Sequence, residues 1–203
     1  MSGAEDPPPL GTPKGGGMLA SAAAANLESS HDLLDLCVAG SPAAWRGLHR
    51  RYHGTAVSVL RRLGVPPSQL EDACQDVFVD VFHYLPRFRR EADFRTWLYR
   101  ICVSRARTAR RRAKLSAMLS TLLPFAGSGG NETLEGGQAS RQLANALDRL
   151  SEAERLVFVL FELEGLSGKE IADVIQRPQA TVFRRLHDAR LHFKSALEEG
   201  SVT

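Results

Sequence analysis

Between Arg87 and Lys114 the chain carries eleven arginine or lysine side chains against two acids, Glu91 and Asp93, a local balance of +9 inside a chain whose net charge is +3. Guanidinium groups at that density hold phosphate oxygens through charge-assisted bonds and lie flat on base faces. The run opens on Arg87-Phe88-Arg89-Arg90, an aromatic ring among arginines. That combination stacks unpaired bases while neutralising their backbone. The remainder of the chain is left six units acidic, so charge is segregated into a polyanion-binding patch rather than spread for solubility.

A second constellation is acidic. Asp72, Asp76 and Asp80 recur at i, i+4, i+8, a spacing that would put three carboxylates on one helix face as conceivable metal ligands. Acids in that pattern are ordinarily solvated, and no histidine or second carboxylate cluster completes a site. The chain also lacks the G-x-x-x-x-G-K-[ST] phosphate loop. The expectation is therefore no enzyme, no cofactor, no metal and no small-molecule substrate. Cys37, Cys74 and Cys102 are odd in number and without C-x-x-C spacing, so they read as small core residues.

These groups need elements to position them, and the periodicity is helical throughout. A short amphipathic helix is expected at 32–39. Ser41 and Pro42 then resemble an N-cap and first-turn proline for a helix of about six turns whose apolar stripe runs from Trp45 to Leu63 and stops at Gly64. After Val65-Pro66-Pro67, Ser68 and Glu71 have the spacing of a capping box. The helix that follows buries Leu70, Ala73, Cys74, Val77, Phe78, Val81, Phe82 and Leu85. Its opposite face holds Asp72, Gln75, Asp76 and His83 with one apolar residue, Val79. That face is open to two readings, an ordinary solvated surface or a protein-docking surface.

Pro86 ends that helix, and the arginine loop leads into another. Phe94, Trp97, Leu98, Ile101 and Cys102 make a buried stripe. Beyond it the same line continues through Arg105, Ala109 and Arg112, so the helix is expected to leave the core and meet something anionic. Residues 116–140, rich in Ser, Gly, Thr and Asn, read as a flexible linker. Past it come a helix with Leu143, Ala146, Leu147 and Leu150, a capped helix from Ser151 with Glu154 to Gly165, another from Ser167 with Glu170, and a last one from Gln179 to Leu197. The short turn around Pro178 makes the final pair a helix-turn-helix, whose second helix offers its N-terminal residues to a DNA major groove.

The fold expected is all-α: two small helical domains joined by a flexible linker, the C-terminal one a helix-turn-helix. The boundaries are a disordered Pro/Gly/Ala-rich tail at 1–28, a helical domain at 29–115, the linker at 116–140, and the helix-turn-helix domain at 141–198. No apolar run approaches the roughly 18 residues of a membrane span, and no secretion signal opens the chain, so no membrane insertion is expected and the location is read as cytoplasmic.

The blocks SPAAWRGLHRRY, EDACQDVFVDVF and FRREADFRTWLYRI resemble the promoter-melting domain of bacterial sigma factors of the extracytoplasmic-function (ECF) group. LSEAERLVFVLFELEGLSGKEIADVIQRPQATVFRRLHDAR resembles that group's C-terminal helix-turn-helix domain. The resemblance implies a factor that binds core RNA polymerase, directs it to promoter DNA and assists melting, often under the control of an anti-sigma factor. It further implies polymerase binding by Asp72, Gln75, Asp76 and Val79. The minus-ten element would fall to Arg87, Phe88, Arg89, Arg90, Arg95, Trp97, Arg100, Arg107 and Arg111, and the minus-thirty-five element to Gln179, Thr181, Arg184, Arg185 and His187. The chain departs from the group's usual pattern at Ser104, Arg105, Thr108, Gln176 and Arg177. The alternative, a helix-turn-helix regulator acting without polymerase, would leave the acidic docking face and the arginine block unexplained.

Overall fold

The apolar stripes can be buried only by packing helix on helix, and the computed structural model, which describes residues 32–122 and 137–200, does this in two modules. The N-terminal module contains α1 (residues 32–38), α2 (Pro42–Arg62), α3 (Pro67–Tyr84) and α4 (Phe94–Leu122). Its core is formed where α2, α3 and α4 meet, and Leu48, Val59, Leu60, Val77, Val81, Leu98 and Cys102 are all but sealed from solvent. The C-terminal module contains α5 (Gln138–Asp148), α6 (Glu152–Phe158) continuing into a π turn at Val159–Leu163, α7 (Gly168–Ile175) and α8 (Gln179–Gly200). Leu147, Val157, Leu160, Ile171, Val182, Leu186 and Ala189 form its core.

The helix starts follow local chemistry. Ser41 caps α2 through the Ala44 amide, and Ser151 and Ser167 both close reciprocal capping boxes with Glu154 and Glu170. The expected box at Ser68 and Glu71 does not form. Helix α3 begins two residues earlier than that box would start it, at Pro67, whose fixed φ suits the first helical position, and Pro66 sits at the cap with no side-chain bond. Gly64 and Gly165 stop their helices with φ of +82° and +72°, the left-handed region where glycine carries no Cβ penalty.

Helix α4 also departs from expectation. It stays on the core beyond Cys102, with Val103, Ala106 and Ala109 all buried, so the smaller alanines continue the stripe among the arginines. It then runs on through Ser116–Leu122, part of the expected linker, because no glycine or proline interrupts the good helix formers Leu115, Met118 and Leu119. Helix α5 likewise starts inside the expected linker, at Gln138. The middle of that linker and the expected tail at 1–28 lie outside the described residues. Among the described residues no helix is long and apolar enough to cross a membrane.

All three cysteines are free and buried, and burial pushes the Cys74 thiol up to about 11. They occupy core positions in α1, α3 and α4.

The two modules do not stand apart, because α4 packs along α7 and the end of α2 meets α6. Gly64 lies in this seam, where an added Cβ would come within 3.0 Å of the Arg155 guanidinium. Gly64→Ala should therefore lower stability by about 1–2 kcal/mol from the left-handed backbone alone, and by more as Arg155 is displaced. Urea unfolding of the two proteins side by side measures the difference.

Candidate nucleic-acid interface

The arginine loop is anchored rather than loose. Arg90 adopts a left-handed conformation at φ +57° and forks onto the Asp35 carboxylate of α1 with both of its terminal nitrogens. Phe88 is half-buried, its ring 5.0 Å from Trp97 and 6.0 Å from Phe94, and Phe94 in turn lies 4.9 Å from Tyr52. One face of this aromatic cluster is built into the module while Arg87 and Arg89 beside it are exposed. An unpaired base arriving here would meet a ring already fixed in place, so little rotamer freedom is lost on stacking.

Along α4 the arginines divide by partner. Arg107 and Arg111 face solvent. Arg105 donates Nε to Asp80 Oδ2 at 2.6 Å, forks onto the same carboxylate with a terminal nitrogen, and stands 3.6 Å from Asp76. Those bonds hold its guanidinium charged more firmly than usual, Asp80 first among the causes. Arg112 adds a contact to Asp76 at 3.8 Å. The i, i+4 carboxylates Asp76 and Asp80 are thus taken up by arginine. On the same helix Asp72, Gln75 and Val79 are exposed, with Val79 showing 50% of its surface, and Asp76 is half-buried.

Arg95 and Arg100 point at the C-terminal module. Arg95 donates Nε to the Tyr99 hydroxyl at 2.6 Å and a terminal nitrogen to the Glu164 carbonyl, and Arg100 donates to the Asp173 carbonyl at 2.7 Å. Between them lies a seam that periodicity alone does not reveal. The Glu164 carboxylate, 8% exposed, accepts the Tyr99 hydroxyl at 2.6 Å and Arg62 at 2.6 Å. Arg155 reaches back to the Arg62 carbonyl at 2.6 Å, and Thr96 donates to Glu170 at 3.2 Å. Burial, followed by the bond to Glu164, raises the Tyr99 phenol well above the ordinary tyrosine range, although Arg95 opposes the shift. The signals available were faint: Arg95 four residues before Tyr99 on one helix, and a glutamate beside the glycine that closes an otherwise apolar helix.

In the helix-turn-helix, the turn residue Gln176 takes the left-handed conformation at φ +54° and its side chain donates to the Asp173 carbonyl at 2.7 Å, so the position that suits glycine is held by a local bond instead. On α8, Gln179, Arg184 and His187 are exposed, while Thr181 and Arg185 are half-buried on the opposite flank. The structure thus brings Gln179, Arg184 and His187 onto one surface and sets Thr181 and Arg185 at its edge. Phe183, which no polar pattern marks, is 49% exposed next to Arg184.

Residues 48–115 match the family described as Sigma-70 region 2, and residues 140–193 the family described as Sigma-70, region 4. The ECF RNA polymerase sigma-E factor of Haemophilus influenzae is 31% identical over 164 residues, covering 74% of this chain and 86% of that one. The chain belongs to the ECF group of sigma factors. The ECF RNA polymerase sigma-E factor of Escherichia coli K12 is 29% identical over 170 residues, 74% of this chain and 85% of that one. Among solved structures, CnrH in complex with the cytosolic domain of CnrY gives a TM-score of 0.62 at 26% identity, over 82% of this chain and 96% of that one. The sigma factor RpoE of Bartonella quintana, solved with the anti-sigma factor NepR, shares the fold with a TM-score of 0.63 at 17% identity, over 75% and 96%.

As an ECF sigma factor the chain binds core RNA polymerase and directs it to promoters, and each of its two modules contains one of the matched regions. The departure at Arg105 has a structural answer in its fork on Asp80. Thr108 donates its hydroxyl to the backbone carbonyl of Ser104 at 3.2 Å within the helix, which accounts for the threonine hydroxyl.

Removing the phenol oxygen by Tyr99→Phe takes one donor from a buried carboxylate and should cost about 1–3 kcal/mol in chemical unfolding. The pH dependence follows from the raised phenol. The folded protein holds this proton more tightly than the unfolded chain, so the contribution is complete below about pH 10 and is lost as pH rises through the higher folded value. Stability of the parent should therefore fall more steeply above about pH 10 than that of Tyr99→Phe.

Proposed function

We propose the division of labour among residues by which this sigma factor works. Residues 29–115 form the domain for core polymerase and the minus-ten element, 141–198 the domain for the minus-thirty-five element, and the segment between them the connection. The observation that supports this reading best is the chemistry on three separate surfaces of one chain. Helix α3 offers a polar face with the apolar Val79 half-exposed, the loop before α4 offers a fixed ring among exposed arginines, and α8 offers Gln179, Arg184 and His187 side by side.

Polymerase docks on Asp72, Gln75, Asp76 and Val79. The loop residues Arg87, Phe88, Arg89 and Arg90, with Trp97 behind the ring, capture a base of the minus-ten strand, while Arg107 and Arg111 hold backbone phosphates. Unstacking a base costs a few kcal/mol and stacking on an aromatic returns about 1–3 kcal/mol, so a pocket of this kind offsets local opening without nucleotide hydrolysis. The factor itself is not an enzyme and works in the cytoplasm with polymerase.

Arg95 and Arg100 complete the minus-ten set only after the modules part, because in the packed arrangement both are engaged by the C-terminal module. Regulation by an anti-sigma partner belongs to the same proposal, since a partner that holds the modules together keeps those two arginines from DNA.

Run-off transcription with purified core polymerase on a promoter library tests the whole reading: sequence-selective, factor-dependent transcripts are expected, and their absence overturns it. Val79→Arg should weaken binding to core polymerase about tenfold or more, a loss of at least about 1.4 kcal/mol, with the unfolding midpoint unchanged. Val79 is a cleaner probe than Asp76, whose own partners Arg105 and Arg112 would be disturbed. Arg184→Ala should lower discrimination at one base pair of the upstream element by about 1–3 kcal/mol. Phe88→Ala should impair strand opening, read by permanganate reactivity, more than duplex binding read by gel shift.

A further inference from the structure

Phe183 is the large apolar side chain on α8 that the reading of a polar recognition surface leaves out. It is 49% exposed, three residues after Ala180, next to Arg184 and four before His187, so it shares the outward surface of the helix with them. It is also held. An ideal Cβ built on Gly168 would fall 2.7 Å from the tip of the Phe183 ring and 3.2 Å from its two neighbouring ring carbons, so the ring lies directly against the α-carbon of the first residue of α7. Gly168 itself is buried. The ring therefore has one face clamped by the first helix of the helix-turn-helix and the other turned to solvent. It stands on the side of α8 that borders the N-terminus of α7.

A helix-turn-helix places the N-terminal part of its second helix in the major groove while its first helix crosses the backbone. The border between the N-termini of α7 and α8 is the side that such docking turns toward DNA. There Phe183 and the small, exposed Ala180 lie one helical turn apart, with exposed Arg184 next in the chain. Of the four bases, thymine alone presents a methyl group in the major groove, and Phe and Ala are side chains that make apolar contact with it. A ring needed only to clamp α7 to α8 would gain by burying both of its faces. Half of this one is left facing outward in the row of DNA-facing side chains.

We propose that Phe183 is a specificity-determining residue that reads a thymine methyl in the upstream promoter element. This deepens the assignment of α8 to that element and rests on it.

The test uses the full chain with core polymerase. An upstream element is first selected from a randomised library, and each of its thymines is then replaced singly by deoxyuridine, which removes the methyl and leaves every hydrogen-bonding group in place. At one position initiation by the parent should fall about three- to fivefold, the value of removing one methyl from water. Phe183→Ala should be indifferent to the same replacement. Because the comparison is between two templates within one variant, a reduced active fraction does not mimic the result.

Phe183→Arg supplies a gain of specificity that misfolding cannot imitate: its selected element should carry guanine where the parent selects that thymine. The proposal is overturned if the selected element has no thymine, if no replacement affects the parent, if Phe183→Ala keeps the parent's sensitivity, or if Phe183→Arg selects the same base as the parent. Each of those results leaves selective, polymerase-dependent initiation intact. Failure of the underlying assignment looks different, since then no template is selected at all.

Discussion

The arrangement of the two modules depends on one carboxylate. Glu164 sits at the end of a helix in the C-terminal module, 8% exposed, and its side-chain partners, Tyr99 and Arg62, come from the N-terminal one. A charge taken out of water costs several kcal/mol unless it is paired and hydrogen-bonded. The other half of the chain here supplies what water would. Such a joint is exacting in register, because a slip of a few ångströms leaves the carboxylate bare. It is not strong, because Glu164, Tyr99 and Arg62 all recover good hydration when the halves separate, and polar pairs of this kind roughly break even against water. Leu63 and Val103 of the N-terminal module and Leu156 of the C-terminal one line the same small cleft in the seam. Such a joint fixes the register of the two modules more than it adds to their stability.

The same constraint sorts the arginines, which the sequence presents as a single basic block. Arg105 is bound to the acids of α3, Arg90 to Asp35 of α1, and Arg95 and Arg100 to carbonyls of the C-terminal module. Arg87, Arg89, Arg107 and Arg111 remain on the surface. Position along α4 decides this sorting. Residues that lie toward α3 or α7 meet an acceptor, and residues on the outer side meet water. Arg105 shows why type alone misleads, since on the wheel it continues the buried stripe and it does lie inward, but as the partner of Asp80 rather than as the start of an all-round basic helix.

The helical architecture was legible because amphipathic periodicity, caps at Ser41, Ser151 and Ser167, and glycines 64 and 165 all act within a few residues of chain. The surfaces on α3 and α8 were legible for the same reason, a helix face being a local property. Three things were not. The start of α3 depended on whether Pro67 or Ser68 governed the first turn, and the proline's fixed φ won. The reach of α4 to Leu122 depended on the helix propensity of Leu115, Met118 and Leu119 outlasting Ser116 and Ser120. The seam around Glu164 joins residues 65 to 102 positions apart, and no local pattern encodes which buried tyrosine or arginine will meet a given acid.

Charge segregation then acquires a double meaning. The acidic remainder of the chain is not merely the counterweight of the basic patch; through Asp35, Asp76 and Asp80, and through Glu164 beside Arg95, it occupies part of that patch. An arginine that passes from a protein carboxylate to a DNA phosphate exchanges one anionic acceptor for another. One that faces water instead neutralises a phosphate whose counterion is released. The salt dependence of DNA binding counts phosphates neutralised and the ions set free with them. For an arginine drawn from an internal ion pair, its abandoned carboxylate gathers cations of its own, so the net release is smaller. The salt slope of promoter binding should therefore follow the side chains held by no carboxylate, such as Arg87, Arg89, Arg107, Arg111 and Lys114, more closely than the full complement of eleven basic side chains in the block. A measured slope that scales with all eleven would mean that the internal pairs are already broken in the free factor.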